Sequence, residues 1–145
     1  MRRALFIAVL GILSIWGGSA MANPLAAVRW EQRVLLLFGR EPAIQEQMGK
    51  LAIDENGLIE RRLLVLSVDA TVETFAGQPP AMLPSATDLR RQFGVDADSF
   101  YTAVLVGLDG GEKWRSTEIT APETIFAVID AMPMRRAGSE PPRQP

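Results

Sequence analysis

The segment Tyr101–Ser116, YTAVLVGLDGGEKWRS, leaves this chain few folds to choose from. Thr102 to Gly107 is an almost unbroken apolar run, the pattern of a strand covered on both faces. Asp109-Gly110-Gly111 follows, three residues that tolerate the positive φ of a tight hairpin turn. Glu112 to Ser116 returns as a mixed polar strand with Trp114 as its one large apolar side chain. A buried strand paired with a half-exposed partner requires a sheet with layers on both sides, and the flanking segments must supply them.

The N-terminus reads as a secretory leader. Arg2-Arg3 is a positive start, Ala4 to Trp16 is apolar, and Ala20-Met21-Ala22 is a small-x-small cleavage site. Cleavage is expected after Ala22. The apolar run falls short of the roughly 20 residues that span a bilayer, so no stable membrane anchor is expected once the leader is removed. No Cys follows it to carry a lipid. The expected location is periplasmic or secreted.

Removal of 22 residues leaves 123 of the 145, enough for one domain with a core. The loss of Arg2 and Arg3 takes the formal charge from −2 to −4. A mildly acidic domain with scattered charges argues against nucleic acid as a partner. The chain has no Cys and no His. Without them there are no disulfide staples, no thiol chemistry, no imidazole base, no usual zinc site and no c-type haem attachment.

Along the chain, Val34–Phe38 (VLLLF) is the first core strand, with a buried helical segment as the competing assignment. Gly39-Arg40-Glu41-Pro42 ends it, and Pro42 suits the first turn of a helix that carries Ile44, Met48, Leu51 and Ala52 on one face. Asp54-Glu55-Asn56-Gly57 interrupts that helix. Leu63–Val68 (LLVLSV) is a second buried strand, expected parallel to the first across a right-handed crossover. Asp69–Ala86 has no clear period and carries Pro79, Pro80 and Pro84, so it is expected to be a long surface loop. A helix starts at Thr87 and ends at Gly94. Thr120-Ala121-Pro122-Glu123 reads as a capping box that opens the last helix, which Pro133 stops. Residues 135–145 are expected to be a disordered tail. The order β-α-β-α-β-β-α is that of a thioredoxin-like α/β core, a four-stranded mixed sheet in the order 2-1-3-4 flanked by helices. Other α/β sandwiches share that element order.

Two resemblances sharpen this. Leu89–Glu112 is similar to the second half of a thioredoxin, where an aromatic-Gly-Val helix end leads through a loop to an apolar strand and a glycine hairpin. More specific are Asn23-Pro24-Leu25, Arg29-Trp30, Arg33 to Phe38, Phe93-Gly94-Val95, Asp109-Gly110-Gly111 and above all Ile129-Asp130-Ala131-Met132-Pro133-Met134-Arg135-Arg136. With these the chain resembles DUF4174, a domain family of unknown function found in exported bacterial proteins. A related domain occurs in extracellular sushi-repeat proteins of animals. The resemblance covers nearly all of residues 23–134, the expected domain. It implies a thioredoxin-like fold, an exported location and no established reaction. Thioredoxins carry their Cys pair where this chain has Gly39-Arg40-Glu41-Pro42-Ala43, and their cis-proline where it has Tyr101. Disulfide exchange needs a thiolate, so the chain is not a thiol-disulfide oxidoreductase.

Candidate sites are few. Arg40 at a helix start suits an anion, although an ordinary solvated arginine is the simpler account. Met132 and Met134 offer thioethers, a Cu(I) ligand type, but without the dense spacing of a site. Asp96, Asp98 and Asp109 are too few for a calcium loop and fit turn chemistry. No serine nucleophile motif is present. Trp30, Arg33, Arg40 and Tyr101 make the candidate binding surface, because an aromatic beside an arginine is a usual recognition pair. The corner of Arg40, Tyr101 and the first helix start ranks first, since ligands of open α/β sheets gather beyond the carboxyl ends of parallel strands. The expectation is a non-catalytic binding or interaction domain with no cofactor and a protein or peptide partner. The alternative is an enzyme of unfamiliar type that uses Arg and carboxylates.

Overall fold

A computed structural model describes residues 23–138, and the predicted leader lies outside them. The strands are β1 (Arg33–Gly39), β2 (Leu63–Val68), β3 (Val72–Ala76), β4 (Tyr101–Val106) and β5 (Glu112–Ser116). The helices are α1 (Glu41–Leu51), α2 (Glu55–Glu60), α3 (Ala86–Phe93), α4 (Pro122–Asp130) and α5 (Pro133–Arg136). One sheet runs β3-β2-β1-β4-β5. β1 lies parallel to β2, with Val34 opposite Leu64, and antiparallel to β4, with Leu35 opposite Leu105.

The unbroken apolar strands are explained by two covered faces. Side chains alternate across a strand. Leu35, Leu37, Val65, Ala103 and Leu105 meet Ile44, Leu51, Leu58, Ile125 and Ile129 from α1, α2 and α4. Val34, Leu36, Phe38, Leu66 and Val104 meet Leu89 and Phe93 of α3 and the N-terminal turn at Leu25 and Val28. Each such Val, Leu, Ile or Phe side chain, fully buried, contributes about 1.5–3 kcal/mol. Trp114, opposite Leu105, is half-buried against the first face. Among the described residues no helix is long and apolar enough to cross a membrane.

Four strands keep the expected order, and the sheet has a fifth. β3 lies within the expected Asp69–Ala86 loop and pairs antiparallel with β2 at the sheet edge. Its register shifts between Val65 and Leu66, which face Ala76 and Thr74, so Phe75 is the extra residue of a bulge. The bulge breaks the alternation that marks a strand, which is why Val72–Ala76 shows no clear period.

Three boundaries also move. The helix interruption comes earlier, as a 3₁₀ turn over Ala52–Asp54, and the Asp54 carboxylate then accepts from the Gly57 N–H at 2.8 Å to cap α2. Thr120 does not cap α4. Ala121 holds the N-cap without a side-chain bond, and the Thr120 hydroxyl donates to the Glu118 carbonyl at 2.9 Å. Arg135 and Arg136, placed in the tail by sequence, form the last turn of α5. Gly94 closes α3 at φ 63°, as its position suggests. Ser85, one residue before α3, accepts from the Asp88 N–H at 3.1 Å.

A closed corner and an open groove

The corner that ranked first is filled. Tyr101 opens β4 and is buried, 4% exposed, pointing at α1 rather than at solvent. Its hydroxyl donates to the Gln47 side-chain carbonyl at 2.9 Å. That same oxygen accepts from the Thr120 N–H at 2.8 Å, while the Gln47 amide nitrogen donates to the Thr120 carbonyl at 2.8 Å. Gln47 is wholly buried; its bond to Tyr101 forms away from water, and the two to Thr120 are partly buried. The three bonds tie α1 to β4 and to the segment that leads into α4. Burial also pushes the Tyr101 phenol well above its ordinary pKa. The chain turns from β1 into α1 at Gly39, whose φ of 146° and near-contact with the Phe100 carbonyl admit no side chain. Arg40 is the exposed N-cap residue of α1, and the carboxylate of Glu41 already stands in that helix's first turn.

The other candidates lie at the far end of β1, about 20 Å away by strand rise. Trp30 is 44% exposed at φ 67°, with the Arg29 guanidinium 5.5 Å from its ring. Its N–H donates to the Leu108 carbonyl at 2.7 Å, which holds the strained turn in place. Arg33 is 1% exposed, and its guanidinium donates to the Arg61 carbonyl at 3.0 Å. It belongs to the interior, not to a binding surface. The four residues therefore make no single patch. Met132 packs against the core. Asp109 accepts from the Gly111 N–H and from Lys113 in its own turn. Among the described residues no three His, Cys, Asp or Glu side chains converge as metal ligands.

What is open is a groove of about 570 Å³ under the amino end of β2. The N-terminal turn and α2 form two of its sides, and the exit of β3 through Pro79-Pro80 forms another. Val28, Leu58 and Leu63 are its buried apolar floor, with Phe75 half-buried beside them. Ile59 stands on the rim, 56% exposed. Glu31, Glu55 and Arg62 add the charges. Arg62, at φ 50°, ends α2 in the left-handed region usually left to glycine. Gln32 and Gln78 clasp one wall: the Gln32 amide donates to the Gln78 carbonyl at 2.6 Å, and the Gln78 N–H donates back to the Gln32 oxygen at 3.1 Å.

Sequence reasoning missed Gln47, Ile59 and Phe75. Gln47 had a signal, a polar residue between Ile44 and Leu51 on an apolar helix face. Phe75 had none, because its strand is bulged.

Comparison with known proteins agrees with this architecture. The reduced 2-Cys peroxiredoxin of Plasmodium vivax is similar in structure, with a TM-score of 0.52 and 15% sequence identity, over 71% of this chain and 78% of that one. At that identity the likeness is one of fold, and it is thioredoxin-like. No match was found among curated proteins. The family described as "Domain of unknown function (DUF4174)" matches residues 24–138, the whole span from the N-terminal turn through α5. This chain belongs to the DUF4174 family.

Proposed function

We propose that this domain acts by binding, not by catalysis, and that its site is the groove beneath β2 and not the corner at Arg40 and Tyr101. The observation that carries this is the contrast between the two ends of the sheet. At one end Gln47, Tyr101 and Thr120 seal the space with one buried and two partly buried hydrogen bonds. At the other, a groove stays open among the described residues, with exposed Ile59 and half-buried Phe75 beside a buried apolar floor, ringed by charged and amide groups as ligand sites are. The absence of Cys supports the same reading, since a scaffold of this fold then has no thiol to react. We place the work outside the cytoplasm, with a leader removed after Ala22.

The test is site-specific cross-linking in living cells. A photoreactive amino acid at Ile59 should give a discrete adduct, and the same residue at Arg40 should give none. Adducts from position 40 alone, or from neither position, would count against the groove.

A further inference from the structure

The inference that follows rests on the groove as the binding site. We propose that its occupant is an extended polypeptide segment that adds to the free edge of β3 as a sixth strand, with an apolar side chain against Ile59 and Phe75 and a lysine or arginine near Glu31 and Glu55. β3 ends the sheet, and among the described residues no strand pairs with its outer side. Edge strands offer unpaired N–H and C=O groups to any extended chain, and proteins usually guard them with charge.

The two edges of this sheet differ in that respect. β5 carries Glu112, Lys113 and Arg115, with Arg115 paired to Glu112 at 2.8 Å and Lys113 to Asp109 at 2.8 Å. β3, VETFA, carries only Glu73. The groove begins where β3 ends, so a strand laid on that edge runs directly over Phe75 and the clasped Gln32–Gln78 wall. Its side chains alternate, and one of each pair faces the apolar floor. On the rim, two carboxylates stand against one guanidinium, which favours a basic segment.

The experiment pans a phage-displayed library of random heptapeptides against the purified protein, then measures synthetic copies of the selected peptides by calorimetry. The selected sequences should alternate and combine an apolar residue with Lys or Arg. The exposed substitution Ile59→Asp should weaken binding about tenfold or more, the scale of a lost interface anchor. Methylating the backbone nitrogens of the peptide in two alternate sets should weaken binding about tenfold for one set, whose N–H groups pair with β3, and leave it little changed for the other, because strand pairing is lost in the first while the side chains remain. The double charge reversal Glu31→Lys, Glu55→Lys should weaken binding of the basic peptides. Circular dichroism checks that each variant is folded. Peptides that bind Ile59→Asp as well as the parent would overturn the groove itself. Peptides sensitive to Ile59→Asp but indifferent to N-methylation and charge reversal would leave the groove standing and overturn strand addition. No selected peptide would also overturn it, and in that case a dimer dissolved by Ile59→Asp would make a second copy of the chain the occupant.

Discussion

Gln47 is a polar side chain on a buried helix face, and it is satisfied at both ends. A lost hydrogen bond costs most where the orphaned partner stays buried. Gln47→Leu removes the partner of the Tyr101 hydroxyl and of both Thr120 backbone groups, so urea unfolding should show a loss of about 1–3 kcal/mol. Tyr101→Phe leaves Gln47 bonded to Thr120 and should cost less, about 0.5–1.5 kcal/mol. A Gln47→Leu protein as stable as its parent would mean that the network contributes nothing. Tyr101 is also the only tyrosine of the chain, so tyrosinate absorbance reports this site alone. Burial disfavours its charged form and raises its pKa above the ordinary tyrosine value. The stabilisation is therefore complete below the ordinary tyrosine value of about 10 and is lost as pH rises towards the raised one. In an alkaline titration of folded protein, ionisation should lag behind free tyrosine and arrive with unfolding. Titration near the free value would show the phenol to be accessible.

Among the elements, α2, α4 and α5 are fastened by one carboxylate. Asp130, at the end of α4, accepts two bonds from Arg61, at 3.0 and 2.7 Å, and one from Arg135 at 3.2 Å. Arg135 also donates to the Glu60 carboxylate at 2.9 Å. Arg61 lies over the Phe126 ring at 4.3 Å, so its guanidinium is packed as well as paired. This gives the Ile129–Arg136 run a structural role: Ile129 enters the core, Asp130 takes the clasp, Pro133 starts α5 and Arg135 returns to α2. Arg61 first, then Arg135, holds the Asp130 carboxyl below its ordinary pKa. A depressed acid stabilises fully above its unfolded value and loses that contribution as pH falls through the folded one. Asp130→Asn should thus be less stable at pH 7 by about 1 kcal/mol, the upper range for a partly exposed pair. The difference should shrink below about pH 4, where the unfolded carboxyl begins to protonate. Parallel stability curves in acid would exclude the clasp as its source.

For the molecule as a whole, thioredoxin-like architecture and the absence of Cys set the chemistry. Insulin disulfide reduction and hydroperoxide consumption both pass through a sulfur intermediate, a mixed disulfide or a sulfenic acid. Purified protein free of thiols and metals should turn over neither above buffer, and reproducible turnover in either assay would contradict this. Export is checked by intact mass: secreted material should begin at Asn23, and a mass that retains residues 1–22 would show that the leader stays in place.

The amino-acid order alone determined the elements whose pattern is local. VLLLF, LLVLSV and YTAVLV are continuous apolar runs because both sheet faces are covered, and such runs can be read without knowing what covers them. The glycine turn after β4, Gly94 at the end of α3 and the missing thiols are equally local. Tertiary structure decided what depends on distant partners. Tyr101 reads as a replacement for proline, yet its direction is set by Gln47, 54 residues away. Arg33 reads as a recognition residue beside Trp30, but strand alternation and the Arg61 carbonyl take it inside. β3 is legible only from β2, since a bulged edge strand has no period of its own. The groove exists because a turn before β1, the α2 helix and the exit of β3 converge at one end of the sheet, a juxtaposition that no stretch of sequence encodes by itself.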